Sequence, residues 1–446
     1  MQTQMIDVAH NAVTSSDVIV AVGIFLFTYA LILSERINRA IIATMGAGLM
    51  IMSGVITQDQ AIGAVDFNTL GLLLGMMMIV TVTKESGVFQ YVAILTSKLV
   101  KASPLGILAM ISVVTAVFSA ILDNVTTVLL MTPVLLLITR ELNVKPYPYL
   151  FTSILSANIG GTATLIGDPP NIMIGSAANL TFLDFIVHLT PLALIVMPLT
   201  LLPLLFMYRK SLVASDENRA RIMNMSATAA IEDWHLLYKS LGVLVLVIIG
   251  FIVGHTYFHI PPATFALSGA ALLLLLDNIK LNAEKQHEKV HHAIAEAEWI
   301  TLFFFFGLFV VVFGIEHVGV IAWMAEHMMD FTGGDLAITA MALLWGGAII
   351  STIVDNIPFV ATMIPMLKDM LPAFGDNGET LWWALAAGAC LGGNGSLIGS
   401  SANLVVAGLA EKGGHPIRFL PFMAMAFPFM IWSIVIASGY FYLFYL

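Results

Sequence analysis

The hexapeptide Leu122-Asp123-Asn124-Val125-Thr126-Thr127 has a second copy in this chain, Val354-Asp355-Asn356-Ile357-Pro358-Phe359. Both copies lie in apolar runs, and Asp355 follows Asp123 by 232 residues. The same offset places Gly160-Gly161 on Gly392-Gly393, Leu165-Ile166-Gly167 on Leu397-Ile398-Gly399, and Asn171 on Asn403. Chance matches between apolar sequences rarely keep an Asp-Asn pair and several glycines in one register. We therefore predict a duplicated protein with an acid at the equivalent place in each half.

The composition is that of a membrane protein. Of the 446 residues, 59% are hydrophobic and 10% are charged, and the mean hydropathy is +0.95. Soluble domains carry charge on about a quarter of their residues, so this composition predicts a polytopic membrane protein. The net charge of −10 comes without a basic stripe, so no nucleic-acid partner is expected. A single cysteine, Cys390, excludes an internal disulfide and a cysteine metal cage.

Apolar runs close to the roughly 20 residues of a membrane span recur along both halves. We expect an all-α protein with ten to twelve crossings and additional broken or re-entrant pieces. The predicted organisation is a polar segment at 1–16, a transmembrane repeat at 17–207, a cytoplasmic linker at 208–236 and a second repeat at 237–446 with a polar loop at 279–298. Four tryptophans fall near predicted span ends and are predicted to be interfacial anchors: Trp299, Trp323, Trp382 and Trp383.

Basic residues in short loops predict the orientation. Arg36 and Arg39 follow the first span, and further Lys and Arg residues lie in the linker and in the loop at 279–298, whereas the connections at 58–66 and 255–262 have none. This pattern places the N-terminus outside and the basic loops in the cytoplasm. The first half then has an odd number of crossings, so the second half enters from the opposite side. The repeats are predicted to be inverted.

The acids Asp123 and Asp355 are candidates for ion binding, because an ionised side chain at the centre of a bilayer costs roughly 2.5–3.5 kcal/mol or more. Each is followed by an Asn that offers donor and acceptor atoms, and Thr126 and Thr127 add hydroxyls. Pro358 is predicted to end regular helix near Asn356. Broken helices of this kind expose backbone groups that coordinate ions. The alternative is that each Asp is an ordinary N-cap of the helix that follows.

A second pair of equivalent segments adds candidate residues. Asn158 to Asn171 contains Gly160-Gly161, Thr162, Gly167 and Asp168, and its partner contains Asn394, Ser396, Gly399, Ser400 and Asn403. Pro169-Pro170 must interrupt a helix, which leaves Asp168 beside a break at membrane depth. Ser400 stands where the first half has Asp168, and such unequal charge on a symmetric scaffold suits ion coupling. The alternative for the glycines is close helix packing.

The polar loop at 279–298 contains His287 and His291, which would share one face of a helix. That spacing is compatible with a zinc site. The alternative is a solvated helix of mixed charge.

No Walker motif, dinucleotide-binding glycine set or nucleophile elbow occurs in a usable context. We therefore expect no enzyme and no cofactor beyond a coupling ion. A channel and a membrane enzyme remain alternatives, but inverted repeats with paired broken helices favour a transporter that works by alternating access.

At these motifs the chain resembles the ion transporter superfamily, above all its branch of arsenite permeases and D-type sodium/proton antiporters, which includes the melanosomal P protein. The motifs are Leu122-Asp-Asn-Val-Thr-Thr127, Asn158-Ile-Gly-Gly161, Ile166-Gly-Asp-Pro-Pro-Asn171, Val354-Asp-Asn-Ile-Pro358 and Gly388-Ala-Cys-Leu-Gly-Gly-Asn-Gly395. The divalent-anion/sodium symporters look like a more distant branch, with Ser-Asn-Thr and Gly-Thr-Pro at the equivalent places.

This resemblance implies inverted repeats, each with a re-entrant hairpin and a broken helix, in an elevator-type homodimer. It implies hairpin-tip positions at Asp123, Asn124, Asp355 and Asn356. The implied broken-helix positions are Gly167, Asp168, Asn171, Gly399, Ser400 and Asn403. In the symporters these places bind sodium and the substrate carboxylate, but three of them carry an acid here, which argues against a dicarboxylate substrate.

The sequence thus predicts an ion transporter in the plasma (prokaryotic inner) membrane, coupled to sodium or protons. Sodium/proton antiport is the simplest mechanism, with sodium at Asp123, Asn124, Asp168, Asp355 and Asn356. The alternative is cation-coupled transport of an anion or of an arsenite-like hydroxide, in which Asn and Thr side chains hold the substrate.

Overall fold

The structure is a computed structural model that describes residues 14–34 and 36–446. Most of the predicted polar segment at 1–16 lies outside the described residues. All regular structure in the described part of the chain is helical, as the long apolar runs of the sequence predict.

The helices form two consecutive series along the chain, separated at residues 225–233. The first series is α1 (Ser15–Ser34), α2 (Arg39–Met52), α3 (Gln58–Ala64), α4 (Phe67–Lys84), α5 (Val88–Leu99), α6 (Pro104–Ile121), α7 (Asn124–Leu142), α8 (Tyr147–Thr162), α9 (Pro169–Ala178), α10 (Phe182–His188), α11 (Thr190–Tyr208) and α12 (Asp216–Asn224). The second is α13 (Trp234–Ile249), α14 (His255–Phe258), α15 (Pro262–Asn278), α16 (Ala283–Ala295), α17 (Trp299–His317), α18 (Val320–Thr332), α19 (Leu336–Ile353), α20 (Asn356–Met370), α21 (Glu379–Gly392), α22 (Ser401–Lys412) and α23 (Phe419–Phe444).

Within the described residues, nine helical stretches are long and apolar enough to cross a membrane. The pair α9 and α10, bent by 114°, would make a tenth. Nine or ten spans are at or below the low end of the expected ten to twelve. The reason is that the helices that end at the glycine motifs are too short to be counted as spans. Helix α8 has 16 residues and α21 has 14. Whether the α6–α7 and α19–α20 pairs re-enter the membrane stays a prediction.

The chain separates into two compact units. The first contains the described residues up to Asp66 and Ile300–His327. In this unit Gly307 of α17 lies directly on α2: a Cβ at Gly307 would come within 2.5 Å of the Thr44 nitrogen. The absent side chain therefore permits close helix contact.

The second unit contains Phe67–Trp299 and Met328–Leu446. Here Gly75 of α4, the equivalent of Gly307, lies on α15, and a Cβ at Gly75 would come within 2.5 Å of the Ala266 carbonyl carbon. The main core of this unit joins α6, α7 and α8 to α22 and α23. At its centre the rings of Phe151 and Phe422 meet edge to face at 5.3 Å.

The prediction of interfacial anchors at Trp382 and Trp383 is wrong. Both side chains are buried, at 3% and 1% exposure, because α21 is enclosed by α8, α9, α19 and α23. The Trp383 ring stacks on His188, with ring centroids 4.6 Å apart.

Candidate functional site

The two Asp-Asn motifs stand at the starts of α7 and α20, and both carboxylates cap their helices. Asp123 Oδ1 accepts the Thr126 amide at 2.7 Å, and Asp355 Oδ1 accepts the Ile357 amide at 3.0 Å. The N-cap alternative therefore describes the local structure correctly. Regular helix is interrupted next to Asn356 as predicted, because α19 ends at Ile353 and α20 begins at Asn356. Pro358 itself lies in the first turn of α20, where the missing amide proton has no helical partner to lose.

The broken helices are built in the same way in both halves. Helix α8 ends at Thr162 and α9 begins at Pro169, while α21 ends at Gly392 and α22 begins at Ser401. Asn171 Nδ2 donates to the carbonyls of Gly161 and Thr164 at 3.1 and 2.9 Å. Asn403 Nδ2 donates to the equivalent carbonyls of Gly393 and Ser396 at 2.7 and 2.8 Å. These bonds satisfy the carbonyls that each break frees.

Further hydrogen bonds repeat at the 232-residue offset and hold each helix start to its broken helix. Ser119 Oγ donates to the Ala157 carbonyl at 2.6 Å, and Ser351 Oγ to that of Ala389 at 2.8 Å. Thr164 Oγ1 donates to the Ala120 carbonyl, and Ser396 Oγ to that of Thr352. The duplication read from the sequence is thus also a duplication of local contacts.

The two halves meet at these motifs, because α9 packs on α20 and α7 packs on α22. The Asp168 carboxylate accepts the Asn356 amide group at 3.3 and 3.2 Å. Unlike Asp123 and Asp355, Asp168 makes no side-chain cap bond to the helix that it precedes. Asn158 receives the Asn124 amide group at 3.1 Å and donates to Asn394 and Asn403, both at 3.0 Å.

The carboxylates of this cluster are buried, and the segments that build it carry no Lys or Arg. Asp123, Asp168 and Asp355 are 6%, 0% and 7% exposed. Neither Asp123 nor Asp168 forms an ion pair within residues 14–34 and 36–446. No Lys or Arg occurs in 104–139, 147–208, 336–367 or 379–411, the segments that build the cluster. The site therefore concentrates negative charge in a low-dielectric environment and favours a cation.

Two buried oxygen atoms of the cluster, the Asn124 side-chain Oδ1 and the Thr127 hydroxyl, have no hydrogen-bond partner within the part of the chain that the structure describes. Buried acceptors are ordinarily paired. Together with Asp123 they offer oxygen ligands of the kind that hard cations prefer.

Not every predicted site residue is available for a ligand. Thr162 Oγ1 donates to the Asn158 carbonyl at 2.8 Å, and Ser396 Oγ holds the break before α22. The Gly167 carbonyl accepts a hydrogen bond from the backbone N–H of Asn124 at 2.9 Å. Gly399 is closely packed on Gly393 and Ser351. These residues shape the site rather than face its centre.

The structure adds two residues that the motif reading did not select. Ser401 Oγ donates to Asp355 Oδ2, and Cys390 Sγ donates to Asn171 Oδ1 at 3.4 Å. The 232-residue offset pairs Cys390 with Asn158 and Ser401 with Pro169. Because Asn158 was a predicted site residue, the repeat alignment could have identified Cys390 as well, but not Ser401.

The loop histidines lie on α16, with the rings of His287 and His291 6.4 Å apart. No group of three or more His, Cys, Asp or Glu side chains that could hold a metal ion occurs among the described residues. The zinc alternative gains no support here.

A buried acidic cluster at paired helix breaks, within a largely apolar helical protein, defines an integral membrane transporter. The chain belongs to the citrate transporter family, whose sequence pattern matches residues 29–388. It is 40% identical to an uncharacterized transporter of Mycobacterium tuberculosis, over 96% of this chain and 98% of that protein. It is 31% identical to the human P protein, over 98% of this chain and 62% of the P protein.

Among solved structures, the chain is similar to the crystal structure of the YdaH transporter of Alcanivorax borkumensis. The TM-score is 0.55, with 96% of this chain and 98% of that chain covered, at 14% sequence identity. At this identity the similarity concerns the fold alone. Transporter relatives and a transporter family agree with the prediction that the protein is not an enzyme.

Proposed function

We propose that the protein is a secondary transporter that exchanges sodium ions for protons at the cluster formed by Asp123, Asp168, Asp355 and the amide side chains of Asn124 and Asn356. The observation that supports this most directly is the burial of Asp123 and Asp168 without a basic partner among the described residues. Burying an ionised carboxylate is costly, and hydrogen bonds offset this cost only in part, so protonation or a nearby cation stabilises it further.

Exchange then follows from competition at the same oxygen atoms. An ionised Asp168, with Asn356 donating to it, attracts Na⁺, whereas a protonated Asp168 has lost that attraction. Because an empty, ionised cluster is unfavourable, the transporter changes its exposed side only when loaded with Na⁺ or H⁺, which links the two fluxes. As parts of the same proposal, the protein works by alternating access as a homodimer in the plasma (prokaryotic inner) membrane, with its N-terminus outside.

A second candidate is cation-coupled transport of a small carboxylate. It is favoured by the Asn394 amide nitrogen, a buried donor without a partner that lies beside Asn158, and by the description of the family. Here the acids would bind the coupling cation, and the unpaired donor would contact the anion.

The test uses purified protein in liposomes that contain a pH-sensitive dye. After a proton gradient is imposed, NaCl, sodium gluconate, sodium citrate or KCl is added. Antiport predicts that all three sodium salts dissipate the gradient equally and that KCl does not. A response to sodium citrate alone would support the second candidate, and no response to any sodium salt would contradict sodium/proton antiport and exclude citrate as the anion of the second candidate.

A variant pair separates ion binding from helix capping. Asp123→Asn removes the charge but keeps a good N-cap, so we expect a folded protein whose sodium-dependent signal falls to the level of empty liposomes; the same is expected of Asp355→Asn. The matched control is Asp335→Asn, because Asp335 caps α19 through the Ile338 amide at 2.8 Å but is exposed. If Asp123→Asn and Asp335→Asn transport equally well, Asp123 is only a cap.

A further inference from the structure

The orientation of one buried amide, that of Asn158, follows from its neighbours in the second half. Asn403 Nδ2 donates to the carbonyls of Gly393 and Ser396 at 2.7 and 2.8 Å. Because carbonyl oxygens only accept, the amide nitrogen of Asn403 must face them and its Oδ1 must face Asn158. The Asn158 atom at 3.0 Å from that Oδ1 is therefore its amide nitrogen.

With its nitrogen directed to Asn403 and Asn394, Asn158 directs its Oδ1 to the opposite side. This oxygen accepts the Asn124 amide group at 3.1 Å and the Ser400 hydroxyl at 3.2 Å. The Asn158 side chain is 0% exposed and uses both protons and both lone pairs. It therefore has no capacity left to bind an ion itself, although the sequence marked it as a ligand.

The consequence appears at Asn124. Because its amide nitrogen is bound to Asn158, its carbonyl Oδ1 lies on the other side, where it is buried without a partner, next in sequence to Asp123. An oxygen in that position is available to a cation. A reversed amide would present two protons there instead and would repel the cation.

In the second half, different residues orient the equivalent side chains. Its equivalent of Asn158 is Cys390, whose thiol donates to Asn171 Oδ1 at 3.4 Å in the manner of the Asn158–Asn403 contact. Asn356, the equivalent of Asn124, is oriented by the Asp168 carboxylate. Only the first half thus depends on a neutral amide to set the direction of its hairpin Asn.

We propose that Asn158 is a positioning residue, which turns the Asn124 carbonyl oxygen toward the cation and is itself held by Asn394, Asn403 and Ser400 of the other half. This inference rests on the proposed function, because it assumes that the cluster binds Na⁺. It adds that the first half keeps its sodium affinity only while Asn394, Ser400 and Asn403 of the second half stay in contact with Asn158.

The test measures sodium binding to the purified protein as the rise in melting temperature with NaCl, with choline chloride keeping the ionic strength constant. Asn158→Cys introduces the residue that the chain itself carries at position 390, where the equivalent contact is made. We expect it to fold and to need about tenfold more Na⁺ for half-maximal stabilisation, a loss within the range of one neutral hydrogen bond, because the Asn124–Asn158 bond is weakened. The matched control is Asn278→Cys, which should keep the wild-type midpoint, because Asn278 is likewise a buried amide but donates to the Leu274 carbonyl at 2.7 Å outside the cluster.

Each result decides a different claim. A variant that melts lower in choline chloride but keeps the wild-type sodium midpoint would show that Asn158 is merely structural, and the inference fails while the proposed function stands. A wild-type protein without sodium-specific stabilisation would overturn the proposed function and the inference with it. If Asn158→Cys does not fold, Asn158→Ser replaces it, because its hydroxyl can still donate to Asn403.

Discussion

At the scale of single residues, the three acids of the cluster have different roles. Asp123 and Asp355 cap helices and so have a structural reason to be acidic or polar. Asp168 does not cap, is 0% exposed, and contacts the opposite half through Asn356. It stands at the start of α9, where the helix dipole favours a negative charge. Of the three acids, Asp168 therefore has the strongest case for a role in ion binding.

Replacing Asp168 by Asn tests the role of its charge. The substitution preserves the size and an acceptor for Asn356 but removes the charge, so we expect sodium-dependent proton movement to fall to background while the protein stays folded. The control is Asp277→Asn, since Asp277 is a largely buried acid that pairs with Lys289 at 2.6 Å outside the cluster. Undiminished exchange by Asp168→Asn in the liposome assay would remove this residue from the mechanism.

At the scale of helices, close contact at glycine allows the breaks to be built. Gly160 of α8 lies on α6, where a Cβ would come within 2.6 Å of the Ala116 Cα, and Gly392 of α21 lies on α19, at 2.5 Å from the Ala348 Cα. The same approach brings the Ser119 and Ser351 hydroxyls within reach of the broken helices. These glycines therefore act through close helix packing, the alternative given for them above, and this packing positions the broken helices of the site.

We predict that Gly160→Ala destabilises the protein by about 1–3 kcal/mol, because the methyl group must displace backbone rather than a flexible side chain. Gly346→Ala on α19 is the matched control: no atom lies within 4 Å of its Cβ, so the change should leave stability equal or raise it by about 0.5–1 kcal/mol. Thermal unfolding in detergent, followed by intrinsic fluorescence, measures both. Equal melting temperatures for the two variants would contradict the packing argument.

At the scale of the whole molecule, the two halves share a local architecture but not a charge. The equivalent positions Asp168 and Ser400 carry different residues, and so do Asn158 and Cys390. Each of these four side chains forms a hydrogen bond with a residue of the opposite half. A site assembled from both halves, with the charge unequally divided, can bind H⁺ and Na⁺ in competition without requiring two identical sites.

Competition predicts a pH dependence with a definite sign. Protons occupy the carboxylates as the pH falls, so the apparent affinity for Na⁺ should weaken toward acid, by up to about tenfold per pH unit for one competing proton. Sodium-induced thermal stabilisation, measured between pH 6 and pH 9, checks this. A sodium midpoint that does not move with pH would mean that the two ions do not share a site.

The sequence predicted much of this architecture for physical reasons. Apolar runs of span length and scarce charge require helices in a membrane. Pro169-Pro170 forces a break, and the register that joins Asp123 to Asp355 reveals the duplication before any contact is known. Carboxylates inside apolar runs also mark a functional site, because burial makes them costly without a function.

The helical class, the repeat and the candidate acids therefore follow from the amino-acid sequence alone. The contacts between distant segments do not: Asp168 meets Asn356 of the other half, Ser401 donates to Asp355, and Trp383 is buried against His188. The direction of the Asn124 amide is also a tertiary property, set through Asn158 by carbonyls more than 260 residues away along the chain. The reason is that local sequence specifies where a helix begins or breaks, whereas the partner of a buried polar atom is specified by whichever segment packs against it.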